Sequence, residues 1–156
     1  MPDAASSLIS TMKGTLDKAA ALTAGKPRAK VWQYAGEEVP YPVGGTGIPN
    51  AIMYLAGADN VFEDVPAVYG EVSWEQVAKR NASVLWLQTS AGPGFIEAED
   101  ALRKATEKNP GIAAVEGVAK KRYVVVPYTT AGTLSVHNAE AVLEFATKLQ
   151  QVTAAG

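Results

Sequence analysis

The chain has 156 residues, 47% of them hydrophobic and 19% charged, which is typical of one globular domain with a single core. A net charge of -2 excludes the strongly basic surface that nucleic acid or an anionic membrane attracts. The absence of cysteine excludes disulfides and thiolate metal sites, and no apolar run approaches the roughly 20 residues that span a bilayer.

The first half of the chain predicts a helix, a strand and a second helix. Apolar residues at near-helical spacing predict a helix over 5–24, which a Gly-Lys-Pro sequence ends. Lys30–Tyr34 is rich in side chains that favour a half-buried sheet, and it predicts a strand. A loop follows, and a helix is predicted over 48–57, where Gly57 suits a left-handed cap.

The glycine-rich segment before this second helix has two interpretations. Gly44, Gly45 and Gly47 could present free backbone N–H groups and the positive end of the helix dipole to an anion or a polar ligand. The same glycines could simply form a tight turn between strand and helix. We favour the turn, because the known phosphate-binding fingerprints need more than G-G-x-G.

The second half of the chain predicts two further strands separated by helices. Ser73 and Gln76 form a capping-box pattern at the start of a short helix. The other predicted elements are a strand over 84–88, a helix over 95–108, a helical turn over 112–119, a strand over 123–127, a loop over 129–136 and a helix over 138–152. This alternation predicts an α/β fold: a three-layer αβα arrangement with a mostly parallel, Rossmann-like sheet.

The loops after the three predicted strands favour binding over catalysis. In an open parallel sheet, ligands lie beyond the carboxyl ends of the strands. These loops carry hydroxyls, amides and aromatic rings, and their only charged side chains are Glu37 and Glu38. A hydrolase needs a base beside a nucleophile, or paired carboxylates. We therefore predict no catalytic residue, no metal site and no cofactor.

Two alternatives stay open. A small α/β enzyme could use the same loops, but His137 or Ser90 would then need an activating neighbour that the sequence does not show. A lone histidine at the start of a helix is more often a capping or surface residue. The chain could also be an interaction domain that uses the same face for a protein partner.

The order of several segments resembles a known family. From Val31 onward, a strand and a G-x-G loop precede NAIMYLAGADNVF, VSWEQVA, NASVLWL and GVAKKRYVVV. This order resembles the C-terminal lobe of the substrate-binding proteins of ABC importers for iron siderophores, haem and cobalamin. One departure is Asn81-Ala82-Ser83, where the family usually has Asn-Pro-Asp before the second strand.

The resemblance implies that the chain is half of a two-lobed binding protein. Residues 29–156 would form the C-terminal ligand-binding lobe, and residues 1–28 would correspond to the region around the helix that joins the lobes. Because the family binds ligand between two lobes, we expect this half to bind weakly or not at all alone. The full-length protein is expected to be monomeric and extracytoplasmic, either periplasmic or lipid-anchored, although the N-terminal segment lacks the features of a signal peptide.

The resemblance also implies partners and site residues. The expected ligand is a ferric siderophore or a related metal chelate, with haem or cobalamin as alternatives, and the expected protein partner is a membrane ABC permease. A surface glutamate that docks on permease arginines matches Glu75, with Glu71 as the alternative, although Glu75 could equally be an acidic residue favoured by the helix dipole. The expected ligand-binding residues are Tyr34, Tyr41, Thr46, Gln88, Tyr128 and Thr129.

Overall fold

The computed structural model describes residues 2–132 and 134–154. Within these ranges the helices are α1 (Pro2–Thr23), α2 (Ile48–Leu55), α3 (Trp74–Arg80), α4 (Glu99–Lys108), α5 (Glu116–Ala119), α6 (Tyr128–Ala131) and α7 (Asn138–Ala154). The strands are β1 (Ala29–Tyr34), β2 (Ala58–Asn60), β3 (Val84–Leu87) and β4 (Tyr123–Val125). None of the described helices combines the length and the apolar character needed to cross a membrane.

The four strands form one parallel sheet in the order β2-β1-β3-β4. The predicted α/β fold with a parallel sheet is therefore confirmed. The sequence did not predict β2, which pairs Ala58 with Ala29. A three-residue strand is too short to show a periodic pattern, and only the burial of Ala58 and Asn60 on either side of exposed Asp59 reveals it.

The sheet is covered on both faces, as the predicted three layers require. Because side chains alternate across a strand, Val31 and Trp86 face α1, α2 and α7, whereas Trp32 and Leu85 face α3, α4 and α5. Trp86 packs edge-on against Phe145 of α7 with 5.2 Å between ring centroids. Each face therefore has its own continuous apolar layer.

Two of the differences from the predicted elements lie close to the ends of the strands. The helix predicted over 95–108 begins only at Glu99, because the backbone at Ala98 is extended, with φ -82° and ψ 124°. Its buried face consists of Leu102 and Thr106. The segment predicted as a loop over 129–136 contains the end of α6, whose first residue, Tyr128, directly follows Pro127.

Candidate ligand-binding site

A cavity of about 480 Å³ opens at the carboxyl edge of the sheet, and we refer to it as the strand-end cavity. Its lining residues are Gln33, Ala35, Glu37, Tyr41, Tyr69, Gln88, Ser90, Ala91, Phe95 and Tyr128. Most of them follow β1 and β3, and Tyr128 opens α6. The volume lies within the range of about 300–1,000 Å³ that is usual for small-molecule sites.

Two buried glutamines line the cavity beside the strand ends. Gln33 belongs to β1, Gln88 directly follows β3, and these two strands are neighbours in the sheet. Residues two apart in a strand share a face, so both side chains emerge on the face that carries Val31 and Trp86. Gln33 is 2% exposed and Gln88 is 3% exposed. Because a buried polar group normally has a hydrogen-bond partner, we ask which atoms of these two side chains are paired.

Each glutamine is held through its side-chain oxygen. Gln33 Oε1 accepts the Val43 N–H at 3.1 Å, and Gln88 Oε1 accepts the Tyr69 hydroxyl at 3.3 Å. The Gln88 Nε2 group is buried and has no hydrogen-bond partner in the described part of the chain. A buried donor without a partner costs free energy, so this amide is available to an acceptor from outside the protein.

Aromatic rings form the walls of the cavity. Tyr41 and Tyr69 lie almost parallel, with 6.4 Å between ring centroids and an interplanar angle of 6°. Tyr41 and Phe95 are each about half exposed, at 49% and 53%. Tyr128 is fixed by its N–H, which donates to the Thr89 carbonyl at 3.0 Å. These rings offer large apolar faces whose edges can still make polar contacts.

Glu37 is the only charged side chain among the described residues that line the cavity. Its Oε2 accepts the Ala35 N–H at 2.9 Å. Burial raises the pKa of the Glu37 carboxyl above its ordinary value, and hydrogen bonds from the backbone oppose that effect. Burial also raises the pKa of Tyr69 to about 12, so this hydroxyl stays protonated and can donate to Gln88.

The structure brings three of the six predicted ligand-binding residues to the cavity: Tyr41, Gln88 and Tyr128. Thr46 and Thr129 are exposed on the surface and do not belong to the lining. That these residues contact a ligand stays a prediction.

Tyr34 lies on the opposite face of the sheet and not in the cavity. Its ring packs against Trp32 with 4.9 Å between centroids, and it is only 3% exposed. Its hydroxyl accepts Asn109 Nδ2–H at 3.3 Å. The cause is strand alternation, which turns Gln33 toward the cavity and its neighbour Tyr34 away from it.

Sequence reasoning missed Tyr69, Phe95 and Gln33 as cavity residues. Gln33 could have been found, because a polar side chain in an otherwise apolar strand needs a special environment. Tyr69 lies in a turn-rich segment far from any strand end. An isolated antiparallel bridge to Val43, the parallel ring of Tyr41 and the hydrogen bond to Gln88 hold it at the cavity. The sequence predicts Phe95 to lie in a helix, but in the structure that helix begins only at Glu99.

The glycine-rich loop, residues 43–47, is not a set of free donors. The N–H groups of Gly44, Gly45 and Thr46 donate to the carbonyls of residues 68, 65 and 67 at 2.9, 2.8 and 3.3 Å. A Cβ atom on Gly45 would lie 1.9 Å from the Glu63 carbonyl oxygen. The glycines therefore allow two loops to pack closely, which is the tight-turn interpretation that the sequence favoured.

The residues of the alternative enzyme hypothesis do not form a nucleophile–base pair. The exposed His137 ring is paired through Nδ1 with Glu140 Oε2 at 2.9 Å. The Ser90 hydroxyl donates to the Ala91 carbonyl at 3.4 Å. Within the described ranges, no three histidine or carboxylate side chains come close enough together to hold a metal ion.

Glu75 lies in the first turn of α3 and is exposed. The predicted capping box is present: Ser73 Oγ accepts the Gln76 N–H at 3.1 Å, and Gln76 Oε1 accepts the Ser73 N–H at 3.0 Å. Glu75 forms no ion pair with another residue of the described chain. Because α3 precedes β3 and runs opposite to the parallel strands, its first turn lies toward the same edge as the cavity.

The sheet order, the two helical layers and the cavity at the strand ends define the chain as one lobe of the periplasmic binding protein fold. A periplasmic binding protein from Veillonella parvula superposes with a TM-score of 0.82 at 20% identity, over 94% of this chain and 50% of that one. An ABC-type Fe3+-hydroxamate transport system from Saccharomonospora viridis gives 0.78 at 20% identity, over 97% and 49%. The periplasmic haem-binding protein RhuT from Roseiflexus gives 0.77 at 16% identity, over 97% and 57%.

The chain thus spans about half the length of the solved structures that it matches. No protein-family model and no curated protein sequence matches it. The predicted resemblance to a lobe of these binding proteins is confirmed at the level of the fold.

Proposed function

We propose that this chain is one lobe of the substrate-binding component of an ABC importer, which captures a ferric siderophore or a related metal chelate and delivers it to the membrane permease. Residues 29–156 are the C-terminal ligand-binding lobe, and residues 1–28 belong to the region that joins the lobes. The protein acts outside the cytoplasmic membrane and is not an enzyme. Solved binding proteins that share the fold over about half of their length support this proposal.

The observation that carries the proposal is the chemistry of the strand-end cavity. It combines aromatic walls with a buried amide donor, Gln88 Nε2, that has no partner among the described residues. Such a lining can hold a bulky molecule with an oxygen-rich rim, and it lacks the acid–base pair that turnover needs. Tyr41, Gln88 and Tyr128 are the proposed ligand contacts, with Tyr69 orienting Gln88.

Nuclear magnetic resonance tests this proposal on the chain itself. Titrating the ¹⁵N-labelled chain with ferric siderophores, haem and cobalamin should perturb or broaden the side-chain amide signals of Gln88 and the backbone signals of Tyr41 and Tyr128. Even the weak binding expected of one lobe is visible in this experiment at millimolar ligand. Perturbations confined to other surfaces would contradict the proposed function. If the isolated chain shows none, the same titration on the complete two-lobed protein decides, and a lack of binding there would refute the proposed function.

Haem or cobalamin is the second candidate ligand class. One solved structure with the same fold is described as a haem-binding protein, which favours haem over cobalamin within this class. The aromatic walls suit a macrocycle as well as a siderophore. The relative affinities in the titration decide between the classes.

We also propose that Glu75 docks on arginines of the permease, with Glu71 as the alternative. An exposed carboxylate without an ion pair in the described chain, on the same side of the sheet as the cavity, can form a directional, charge-assisted pair with a guanidinium group. In the complete two-lobed protein, Glu75→Ala should leave ligand affinity intact and reduce uptake into cells.

Asp100→Ala is the matched control for Glu75→Ala, because Asp100 is also an exposed acid in the first turn of a helix. If both variants reduce uptake equally, helix-dipole or stability effects explain the loss. Unchanged uptake in Glu75→Ala would contradict the docking role.

A further inference from the structure

We propose that the strand-end cavity selects neutral or positively charged metal chelates and rejects polyanionic ones, and that Glu37 is the residue that sets this preference. This inference rests on the proposed function and narrows its ligand class. Its basis is the combination of one unpaired carboxylate, two amides held through their oxygens and a complete lack of cationic side chains in the described lining.

The carboxylate of Glu37 is held at the cavity without a counter-charge. The Ala35 N–H fixes Oε2 at 2.9 Å, so the group cannot swing freely into solvent. Glu37 forms no ion pair with any residue in the described ranges, and no Lys or Arg belongs to the described lining. A partly buried charge without a partner attracts a cation or a hydrogen-bond donor and repels an anion strongly, because water screens it little.

The two glutamines define what the uncharged part of the ligand must offer. Since the Val43 N–H and the Tyr69 hydroxyl occupy the side-chain oxygens of Gln33 and Gln88, the NH₂ groups are the donors that these two lining residues can still offer. Of the two, Gln88 Nε2 is buried without a partner among the described residues. They match carbonyl or hydroxamate oxygens on the surface of a chelate. The site therefore recognises oxygen acceptors through neutral donors, not through guanidinium or ammonium groups.

The parallel rings of Tyr41 and Tyr69 reinforce this preference. The face of an aromatic ring carries partial negative charge, so an exposed ring such as Tyr41 attracts a cationic arm of a ligand. A tris-catecholate complex would satisfy the glutamine donors but would bring several negative charges toward Glu37 with no cation to offset them. Glu37 and the Tyr41 ring therefore discriminate between chelates by repelling anionic ones as well as by attracting cationic ones.

The test compares three chelates of one redox-inert metal, gallium(III), on the ¹⁵N-labelled chain: a neutral trihydroxamate, a trihydroxamate with a free ammonium arm, and a trianionic tris-catecholate. The dissociation constants come from the shifts of the Gln33 and Gln88 side-chain amide signals. The two trihydroxamates should bind more tightly than the tris-catecholate. One unit charge at close range and intermediate dielectric corresponds to about a tenfold difference in each constant.

Glu37→Gln supplies the decisive comparison. It should weaken the complex with one ammonium arm about tenfold, strengthen the trianionic tris-catecholate by more than about tenfold and change the neutral complex by less than about threefold. Glu38→Gln is the matched control, because Glu38 is exposed and lies outside the cavity lining. It should leave all three constants unchanged.

The outcomes separate this inference from the proposed function. If the tris-catecholate binds the unmodified chain as tightly as the neutral complex, or if Glu37→Gln changes all three affinities equally, the charge preference is wrong and chelate binding stands. If none of the three chelates shifts the glutamine amides of the isolated chain at millimolar concentration, the same titration is made on the complete two-lobed protein. A lack of binding there refutes both the charge preference and the proposed function.

Discussion

The glycine-rich loop and the strand-end cavity differ in what they do with their hydrogen-bond donors. In the loop, the backbone N–H groups of Gly44, Gly45 and Thr46 all donate to carbonyls of the facing segment. In the cavity, Gln88 Nε2 is buried without a partner in the described chain. The loop therefore uses its polar groups to hold the fold together, whereas the cavity leaves a donor available for a ligand.

This comparison shows why a glycine-rich segment is a poor guide to function by itself. The Asn60 side chain also holds the loop in place. Its Nδ2 donates to the Val43 and Gly44 carbonyls and to Asn50 Oδ1, at 3.0, 3.1 and 3.0 Å. These hydrogen bonds hold Val43, and Val43 in turn holds Gln33 through its N–H. The loop supports the site without belonging to it.

The largest expected effect comes from breaking the loop. Gly45→Ala would place a Cβ atom 1.9 Å from the Glu63 carbonyl oxygen, and a backbone atom cannot move aside cheaply. We expect the free energy of unfolding to fall by at least about 3 kcal/mol, measured by urea denaturation. Gly14→Ala, whose Cβ meets nothing within 4 Å in α1, should instead stabilise the chain by about 0.5–1 kcal/mol. Equal stability of the two variants would refute the packing role of the loop.

The second-largest effect is expected from displacing the Tyr128 ring, which lines the cavity. A Cβ atom on Gly132 would lie 2.2 Å from Cδ2 and Cε2 of the Tyr128 ring, so Gly132→Ala must push this ring out of place. We expect a loss of about 1–3 kcal/mol in stability and weaker chelate binding. Unchanged ring signals of Tyr128 in the NMR spectrum of the variant would show that the ring is not held by this contact.

A smaller effect tests the coupling between Tyr69 and Gln88. Tyr69→Phe removes the hydroxyl that donates to Gln88 Oε1 and leaves the whole buried amide unpaired, which should cost about 1–2 kcal/mol. Adding Gln88→Met removes the stranded polar group and should recover most of that loss while abolishing chelate binding. Thermal denaturation of both single variants and the double variant measures the coupling. Strictly additive losses would mean that the two side chains act independently.

The smallest effect is the pH dependence that Glu37 imparts. Because burial raises its pKa above the ordinary value of 4.5, the folded chain binds more protons than the unfolded chain between these two values. The stabilisation of the protonated form is therefore complete below pH 4.5 and is lost as pH rises through the raised pKa. Glu37→Gln does not titrate, so its stability relative to the unmodified chain should rise over this window in urea denaturation series. A stability difference between Glu37→Gln and the unmodified chain that stays flat across this window would exclude this effect.

Local sequence predicted the elements better than it predicted their contacts. The strands near Val31, Val84 and Tyr123 stood out because β-favouring and apolar residues cluster there. The sequence also located the edge of the sheet where Tyr41, Gln88 and Tyr128 come together. It assigned Tyr34 to that edge as well, because proximity to a strand end does not reveal which face a side chain takes.

By itself, the sequence determined the α/β class, the parallel sheet and the neutral character of the strand-end loops. These follow from hydrophobic period, helix and turn signals and residue composition, which act over a few neighbouring residues. Only the tertiary structure decided that Tyr69 and Phe95 join Gln33 and Gln88 around one cavity and that Glu37 stands there without a counter-charge. It also decided that the N–H groups of Gly44, Gly45 and Thr46 are already paired with carbonyls. Those facts depend on contacts between segments distant in the chain, and no local pattern encodes which donors such contacts satisfy.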